Sequence, residues 1–302
     1  MTFDDNANIG GGRVSKRGRN TGIAVGGGGL GVIVIFLVSQ FLGVDLSSLA
    51  GGGGAQPADS GSVSNLSECT TGAQANEDVE CRIQGAAASL DVFWAEELPS
   101  RGTEYQQPPV ALFTDSVGTG CGGATSVTGP FYCPPDTSIH IDTAFFGDLR
   151  TRFGSSGGPL AEMYVVAHEW GHHIQNLEGT LASSQDGQTG SGSNAVRVEL
   201  QADCFAGAWA GAASETRDTD GVPFLKPITE AQIQDALSAA SAIGDDRIQS
   251  STQGQVNPEA WTHGSSEQRQ RWFQTGFDEG TGSCDTFAPA DAELQRGPVS
   301  CA

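Results

Sequence analysis

Basic residues are scarce in this chain of 302 residues, which has 15 lysines and arginines against 36 aspartates and glutamates and a formal net charge of -21. Four of the 15 bases stand within the first nineteen residues, so the remainder is more acidic still. A protein that binds nucleic acid needs cations to neutralise phosphates. The composition therefore argues against nucleic acid as a partner, and the acidity by itself indicates no substrate.

Several common motifs are also missing. No two cysteines are spaced Cys-x-x-Cys, which disfavours a zinc-thiolate site. The glycine-rich residues 118–123 lack the Gly-Lys-Ser/Thr ending of a phosphate-binding loop. No segment repeats another, so the chain does not have the pattern of a repeat protein.

One long segment has no charge. Residues 20–44 carry no charged side chain, and about 20 apolar residues are enough to cross a bilayer. We predict a transmembrane helix at 21–44, between a disordered tail at 1–20 and a flexible linker at 45–66. A cleaved signal peptide is the alternative, but the apolar stretch is long for one and no clear small-x-small site follows it.

The remaining residues, 67–302, are long enough for one catalytic domain. Bases flank only the N-terminal end of the uncharged segment. The positive-inside rule then predicts a single-pass membrane protein with a cytoplasmic N-terminus and an extracytoplasmic domain.

The seven cysteines suit an oxidising compartment, where they are expected to form disulfides. Short spacings pair Cys69 with Cys81 and Cys121 with Cys133. For the other three, our first pairing is Cys204 with Cys284, which leaves the terminal Cys301 free. Cys284 with Cys301 is the alternative.

Hydrophobic periodicity predicts an α+β domain that is mainly helical and has a small β-sheet. A buried strand is expected at 109–113 and a half-exposed strand at 137–142. Helices are expected at 76–98, 145–153, 159–178, 195–213 and 229–243, with a last one from 265. The helix at 159–178 begins with a proline and should end at Gly179.

That helix contains His-Glu-x-x-His at residues 168–172. Residues four apart share a helix face, so His168 and His172 can both bind one metal ion. Glu169 stands one step round from His168, where it can reach a water at the metal and act as a general base. The pattern is typical of a zinc hydrolase.

A catalytic zinc needs a third protein ligand. The extended motif with a third histidine is absent, because the corresponding positions hold Gln175 and Glu178. The next helix instead offers Glu199 and Asp203, four apart on one face. We predict Glu199 as the third ligand and Asp203 as a hydrogen-bond partner behind a ligand histidine.

These motifs, together with Gly-Pro-Phe-Tyr-Cys-Pro at 129–134 and His-Gly-Ser-Ser at 263–266, resemble those of a bacterial family of membrane-anchored neutral zinc metallopeptidases. The resemblance covers roughly residues 92–287. It implies a zincin-like domain with a gluzincin-like site, in which His168, His172 and Glu199 hold Zn²⁺ and Glu169 is the base. It implies no particular substrate.

A second donor usually stabilises the oxyanion in such enzymes. We select His263, just ahead of a helix N-terminus, over three other candidates, Tyr132, Tyr164 and His140. An exposed or helix-capping role is the alternative for His263. His173 lies about 100° off the ligand face and is expected to be a packed neighbour.

The sequence therefore predicts a membrane-anchored zinc metallopeptidase that acts on peptides or proteins. Two alternatives stay open: a catalytically silent, zinc-containing binding module, and a hydrolase of a non-peptide amide. Glu169 separates the first from the enzyme, because a scaffold needs no base beside its metal.

Overall fold

The computed structural model describes residues 2–17, 63–126, 128–288 and Leu294. In chain order the strands are β1 (Val14–Arg17), β2 (Val63–Asn65), β3 (Val110–Phe113), β4 (Ser116–Thr119), β5 (Gly122–Thr125), β6 (Phe131–Cys133) and β7 (Ser138–Asp142). The helices are α1 (Gly72–Glu77), α2 (Val79–Ser100), α3 (Phe145–Thr151), α4 (Pro159–Glu178), α5 (Asn194–Ala212), α6 (Glu230–Ala242), α7 (Asp245–Gln253) and α8 (Ser266–Glu279). The predicted α+β class, mainly helical with a small sheet, is confirmed.

The main sheet has five strands in the order β2-β1-β3-β7-β6. β1, β3 and β7 run parallel, whereas β2 and β6 are antiparallel to their neighbours. β7 was expected to be half exposed, and this is wrong: it lies between β3 and β6 and all five of its residues are buried. Its alternating polar residues face the β4–β5 hairpin side of the sheet, where His140 stacks on Phe131.

The N-terminal residues belong to the domain. Val14, Ser15 and Lys16 pair with residues 110–112 of β3, and Phe3 forms a bridge with Leu225. Phe3, Ala7 and Ile9 are completely buried. The prediction of a disordered tail is therefore wrong for residues 2–17. Its polar, glycine-rich sequence shows no periodicity because its few apolar side chains fill sites that distant parts of the chain provide.

The predicted topology places residues 2–17 and the domain on opposite sides of a membrane, whereas in the structure the two pack together. The predicted transmembrane helix at 21–44 lies outside the described residues, as does most of the linker at 45–66. Among the residues that the structure does describe, no helix is both long and apolar enough to span a membrane.

The central helix α4 begins and ends where its sequence predicts. Pro159 occupies its first turn and Gly179 caps its end with φ 80°. α4 packs against α2, α5 and α6 and against the strands β6 and β7. Gly171 allows the close approach to α5, because a Cβ at this position would lie 2.9 Å from the Cα of Ala202. This contact brings the two helices that carry the candidate ligands together.

The N-terminus of α5 differs from the prediction by one residue. The helix begins at Asn194, and its cap is Ser193, whose hydroxyl accepts a hydrogen bond from the Val196 N–H. α6 and α8 both begin with a capping box. α7 was not predicted, because it is short and Ile248 is its only apolar residue.

The three disulfides that we ranked first are present: Cys69–Cys81, Cys121–Cys133 and Cys204–Cys284. The last one joins α5 to the segment that follows α8, and 80 residues separate its cysteines. Cys301 lies outside the described residues.

Candidate metal centre

Three side chains from two helices converge on one buried point. The candidate ligand atoms of His168 and His172 on α4 and of Glu199 on α5 all lie within 4.8 Å of one another. The His168 Nε2 is 3.2 Å from one Glu199 carboxylate oxygen, and the His172 Nε2 is 3.6 Å from the other. Among the described residues, no other group of three or more His, Cys, Asp or Glu side chains has this geometry.

Asp203 lies behind His168, as the sequence predicts. Its Oδ1 is 2.8 Å from the His168 Nδ1, which leaves Nε2 directed at Glu199. Burial by itself would lower the pKa of His168, but the charges and hydrogen bonds of Asp203 and Glu199 outweigh it and raise the pKa to about 9. A ring made this basic is also a stronger donor to a cation.

Sequence reasoning missed the partners of Asp203 itself. Arg269 on α8 donates from Nε to Oδ2 at 2.8 Å and from its terminal nitrogen to Oδ1 at 3.0 Å. Tyr164 donates its hydroxyl to the same Oδ1. Burial would raise the pKa of Asp203, but Arg269 and His168 hold it below its usual value. Tyr164 precedes His168 by one helical turn, and this spacing could have placed it near the partner of His168. Arg269 could not be predicted in this way, because it is 66 residues from Asp203.

Glu169 is buried beside the cluster and has a different environment from Glu199. Its Oε2 has no hydrogen-bond partner among the residues that the structure describes, and its carboxylate accepts a hydrogen bond from the backbone N–H of Tyr132 on β6. Burial raises the pKa of Glu169. Burial opposes ionisation of Glu199 as well, but His172, His263 and His168 more than offset this and lower its pKa. The two carboxyl groups thus have different environments: burial favours the protonated form of Glu169, whereas the histidines favour the ionised form of Glu199.

His263 lines the same cleft, and hydrogen bonds at its Nδ1 hold the ring in place. Its Nδ1 is 2.8 Å from the Thr262 hydroxyl and 3.3 Å from Asp245 Oδ1. Asp245 Oδ2 also accepts the backbone N–H groups of residues 262–264. In the described part of the chain, the His263 Nε2 has no hydrogen-bond partner. Sequence reasoning missed Asp245, which is on the unpredicted helix α7.

The other three candidates for an oxyanion donor already make hydrogen bonds to other side chains. The Tyr164 hydroxyl is bonded to Asp203, and His140 is fully buried in the sheet with its Nε2 on the Ser138 hydroxyl. The Tyr132 hydroxyl lies 3.1 Å from the His173 Nδ1. His173 also contacts the backbone carbonyl of Gln106, so it is a packed and hydrogen-bonded neighbour, as expected.

The cleft beside the three ligands encloses about 670 Å³, including space open to solvent. The charged residues of its lining are Glu169, Glu199 and Arg269, and Arg269 is paired with Asp203. The rest of the lining is largely apolar and includes Pro130, Phe145, Phe153, Val165, Ile243 and Ile248.

A family model described as "Putative neutral zinc metallopeptidase" matches residues 3–287, and so includes the packed N-terminal segment. The chain belongs to this family. Its relatives include the uncharacterized protein Rv2575 of Mycobacterium tuberculosis, 54% identical over 229 residues, which are 75% of this chain and 77% of the relative. Another is the uncharacterized protein YpfJ of Escherichia coli K12, 37% identical over 291 residues, 94% of each chain. No solved structure matches significantly.

Proposed function

We propose that the protein is a zinc-dependent metallopeptidase and that His168, His172 and Glu199 are its zinc ligands. The observation that carries this proposal is the buried convergence of two imidazole nitrogens and a carboxylate within 4.8 Å, with a second carboxylate beside them. Two nitrogens and one oxygen form the ligand set of many catalytic zinc sites, which keep a fourth position open. The unpartnered Glu169 Oε2 also fits a site whose chemistry lies beside the ligands rather than within them.

A zinc ion held there would polarise the scissile carbonyl and make water more acidic. Glu169 accepts the proton of the attacking water through Oε2 and then delivers it to the leaving amine. Its raised pKa suits both steps, because a base that is too weakly basic cannot accept a proton near neutral pH. The Tyr132 N–H fixes the carboxylate while the proton is transferred.

His263 donates a hydrogen bond from Nε2 to the carbonyl oxygen as negative charge develops on it. Its Nδ1 contacts with Thr262 and Asp245 fix the orientation of the ring. A donor of this kind contributes about 3 kcal/mol to the transition state.

The cleft favours peptides with a bulky apolar side chain next to the scissile bond. Its wall contains two phenylalanines and two isoleucines, and its charged groups are assigned to the metal, the base or Asp203. We propose peptides or proteins as substrates. A catalytically silent module would have no use for a base in this position.

The three disulfides support an oxidising, extracytoplasmic location for the domain, with residues 2–17 on the same side. Attachment to a membrane through residues 21–44 stays a prediction, but a single-pass span there would separate residues 2–17 from the domain against which they pack. Addition of protease to intact cells, followed by detection of the domain, tests the location. Protection until the cells are broken would contradict it.

The test of function compares the full-length protein with Glu169→Gln, by zinc analysis and by mass spectrometry of a cleaved peptide library. Glutamine keeps the size of the side chain but accepts no proton. We expect unchanged zinc content and a loss of turnover of at least about a hundredfold. Glu162→Gln, two turns earlier on α4 and bonded to Arg82, is the matched control and should retain turnover. Equal turnover in the parent and Glu169→Gln would favour the silent module.

A further inference from the structure

The two histidines of the cluster have different partners behind them. His168 faces a carboxylate, whereas the His172 Nδ1 lies 2.9 Å from the side-chain oxygen of Gln175. Gln175 is completely buried one turn further along α4. A neutral amide therefore has the place behind His172 that Asp203 has behind His168.

The orientation of the Gln175 amide is set by its other contacts. Its Nε2 donates to the Val198 carbonyl at 2.7 Å and to the Gln201 Oε1 at 3.1 Å. Because both amide hydrogens point at oxygens on α5, the Gln175 Oε1 must face the ring and accept a hydrogen bond from it. The His172 Nδ1 then carries the proton, and Nε2 keeps its lone pair for the cluster.

Gln201 extends this arrangement by one link. It is 4% exposed, and its Nε2 donates to the backbone carbonyl of Cys284 at 3.0 Å. Cys284 is bonded covalently to Cys204, which is on the same helix as Gln201. A continuous set of hydrogen bonds thus leads from His172 to a backbone carbonyl that a disulfide holds in place. We refer to Gln175 and Gln201 as the amide relay.

A carboxylate could not replace the amide at position 175. It could accept the Nδ1 proton, but it would have no hydrogens for the Val198 carbonyl and the Gln201 Oε1. It would also add a negative charge to a buried region that already contains Glu169, Glu199 and Asp203. The chemistry of the site thus requires an acceptor toward the histidine and two donors toward α5.

We propose that Gln175 and Gln201 are positioning residues for the metal centre: the amide relay fixes the tautomer and the ring of His172 and so sets the affinity for zinc. The inference rests on the ligand set proposed above, although not on peptidase activity. Outer partners of ligand histidines commonly change metal affinity by about 10- to 100-fold.

The test measures the zinc Kd of the full-length protein by competition with a chromogenic chelator. Gln175→Leu keeps a similar volume and removes all three hydrogen bonds, and it should weaken zinc binding by about 10- to 100-fold. Gln201→Leu should weaken it by a smaller factor, since His172 keeps its direct partner. The matched control is Gln84→Leu on α2, which removes an equally buried amide that donates to the carbonyl of another disulfide cysteine, Cys69. We expect the control to leave the zinc Kd unchanged.

A relay also predicts non-additive effects. Gln175→Leu/Gln201→Leu should bind zinc about as well as Gln175→Leu, because the first substitution already cuts the path to His172. Urea unfolding of each variant shows whether it is folded, and if Gln175→Leu is not, the comparison of Gln201→Leu with the control decides. The proposal is overturned if Gln201→Leu and Gln84→Leu have the same zinc Kd, if Gln175→Leu binds like the parent, or if the two effects multiply.

These outcomes are independent of catalysis. If the parent cleaves no library peptide but the variants show the expected zinc affinities, the proposed function fails and the relay stands. If the parent cleaves peptides but the variants bind zinc as tightly as the parent, the relay fails and the proposed function stands.

Discussion

The burial of Phe3 gives a sharp test of the N-terminal segment. Its ring lies against α2 at Gly85, where a Cβ would come 2.6 Å from the Phe3 Cε1 and 2.8 Å from Cζ. Phe3 is completely buried, so Phe3→Ala should cost about 3–5 kcal/mol of unfolding free energy. This is a large part of the roughly 5–15 kcal/mol that holds a domain together. A disordered tail would give no change.

A second substitution makes the test specific to this contact. In the parent, Gly85→Ala places a methyl group in steric clash with the Phe3 ring and should lower the free energy of unfolding by about 1–3 kcal/mol. In the Phe3→Ala background the ring is gone, and alanine should stabilise α2 by up to about 1 kcal/mol relative to glycine. The nearest remaining atom, the Ala75 Cβ at 3.4 Å, is in ordinary contact. The same substitution is therefore expected to change sign between the two backgrounds.

The assay is urea unfolding of the full-length protein, with free energies extrapolated to water. Val256→Ala is the control: its side chain is 46% exposed, and the change should stay within about 0.5 kcal/mol. The packing of residues 2–17 is refuted if Phe3→Ala behaves like this control, or if Gly85→Ala has the same effect in both backgrounds.

Three further outcomes are expected. Gly207→Ala should cost about 3 kcal/mol or more in urea unfolding, because its Cβ would lie 1.9 Å from the backbone oxygen of Phe273; a neutral result would mean that α5 and α8 are further apart. Arg269→Leu leaves the buried Asp203 without its cation and should cost about 3–5 kcal/mol in the same assay, and a loss under about 1 kcal/mol would contradict the ion pair. Burial lowers the pKa of His140 to about 4 from its usual 6.5, so the folded state resists protonation and loses stability as pH falls from about 6.5 toward 4. Unfolding measured across this range should therefore be less pH-dependent in His140→Phe, and parallel curves would refute the shift.

Local features of the chain were readable from its sequence. The spacing of His168 and His172 places both on one face of any helix, and Gly179 ends that helix because glycine adopts the left-handed conformation without strain. The pairs Cys69–Cys81 and Cys121–Cys133 each close a loop with a sequence separation of 12, which spacing alone suggests. Each of these depends on residues a few positions apart, whose geometry the backbone restricts.

The sequence by itself thus determined a helix with two histidines and a glutamate beside them, a neighbouring helix with an acid pair, and the two short-range disulfides. Only the tertiary structure decided what completes them: Arg269 behind Asp203, Asp245 behind His263, Gln201 behind Gln175, and the N-terminal strand inside the sheet. These partners come from different elements, 18 or more residues apart along the chain. The hydrophobic periodicity and residue spacing of the sequence do not predict such contacts. The packing of whole helices and strands, rather than the local backbone, brings these side chains together.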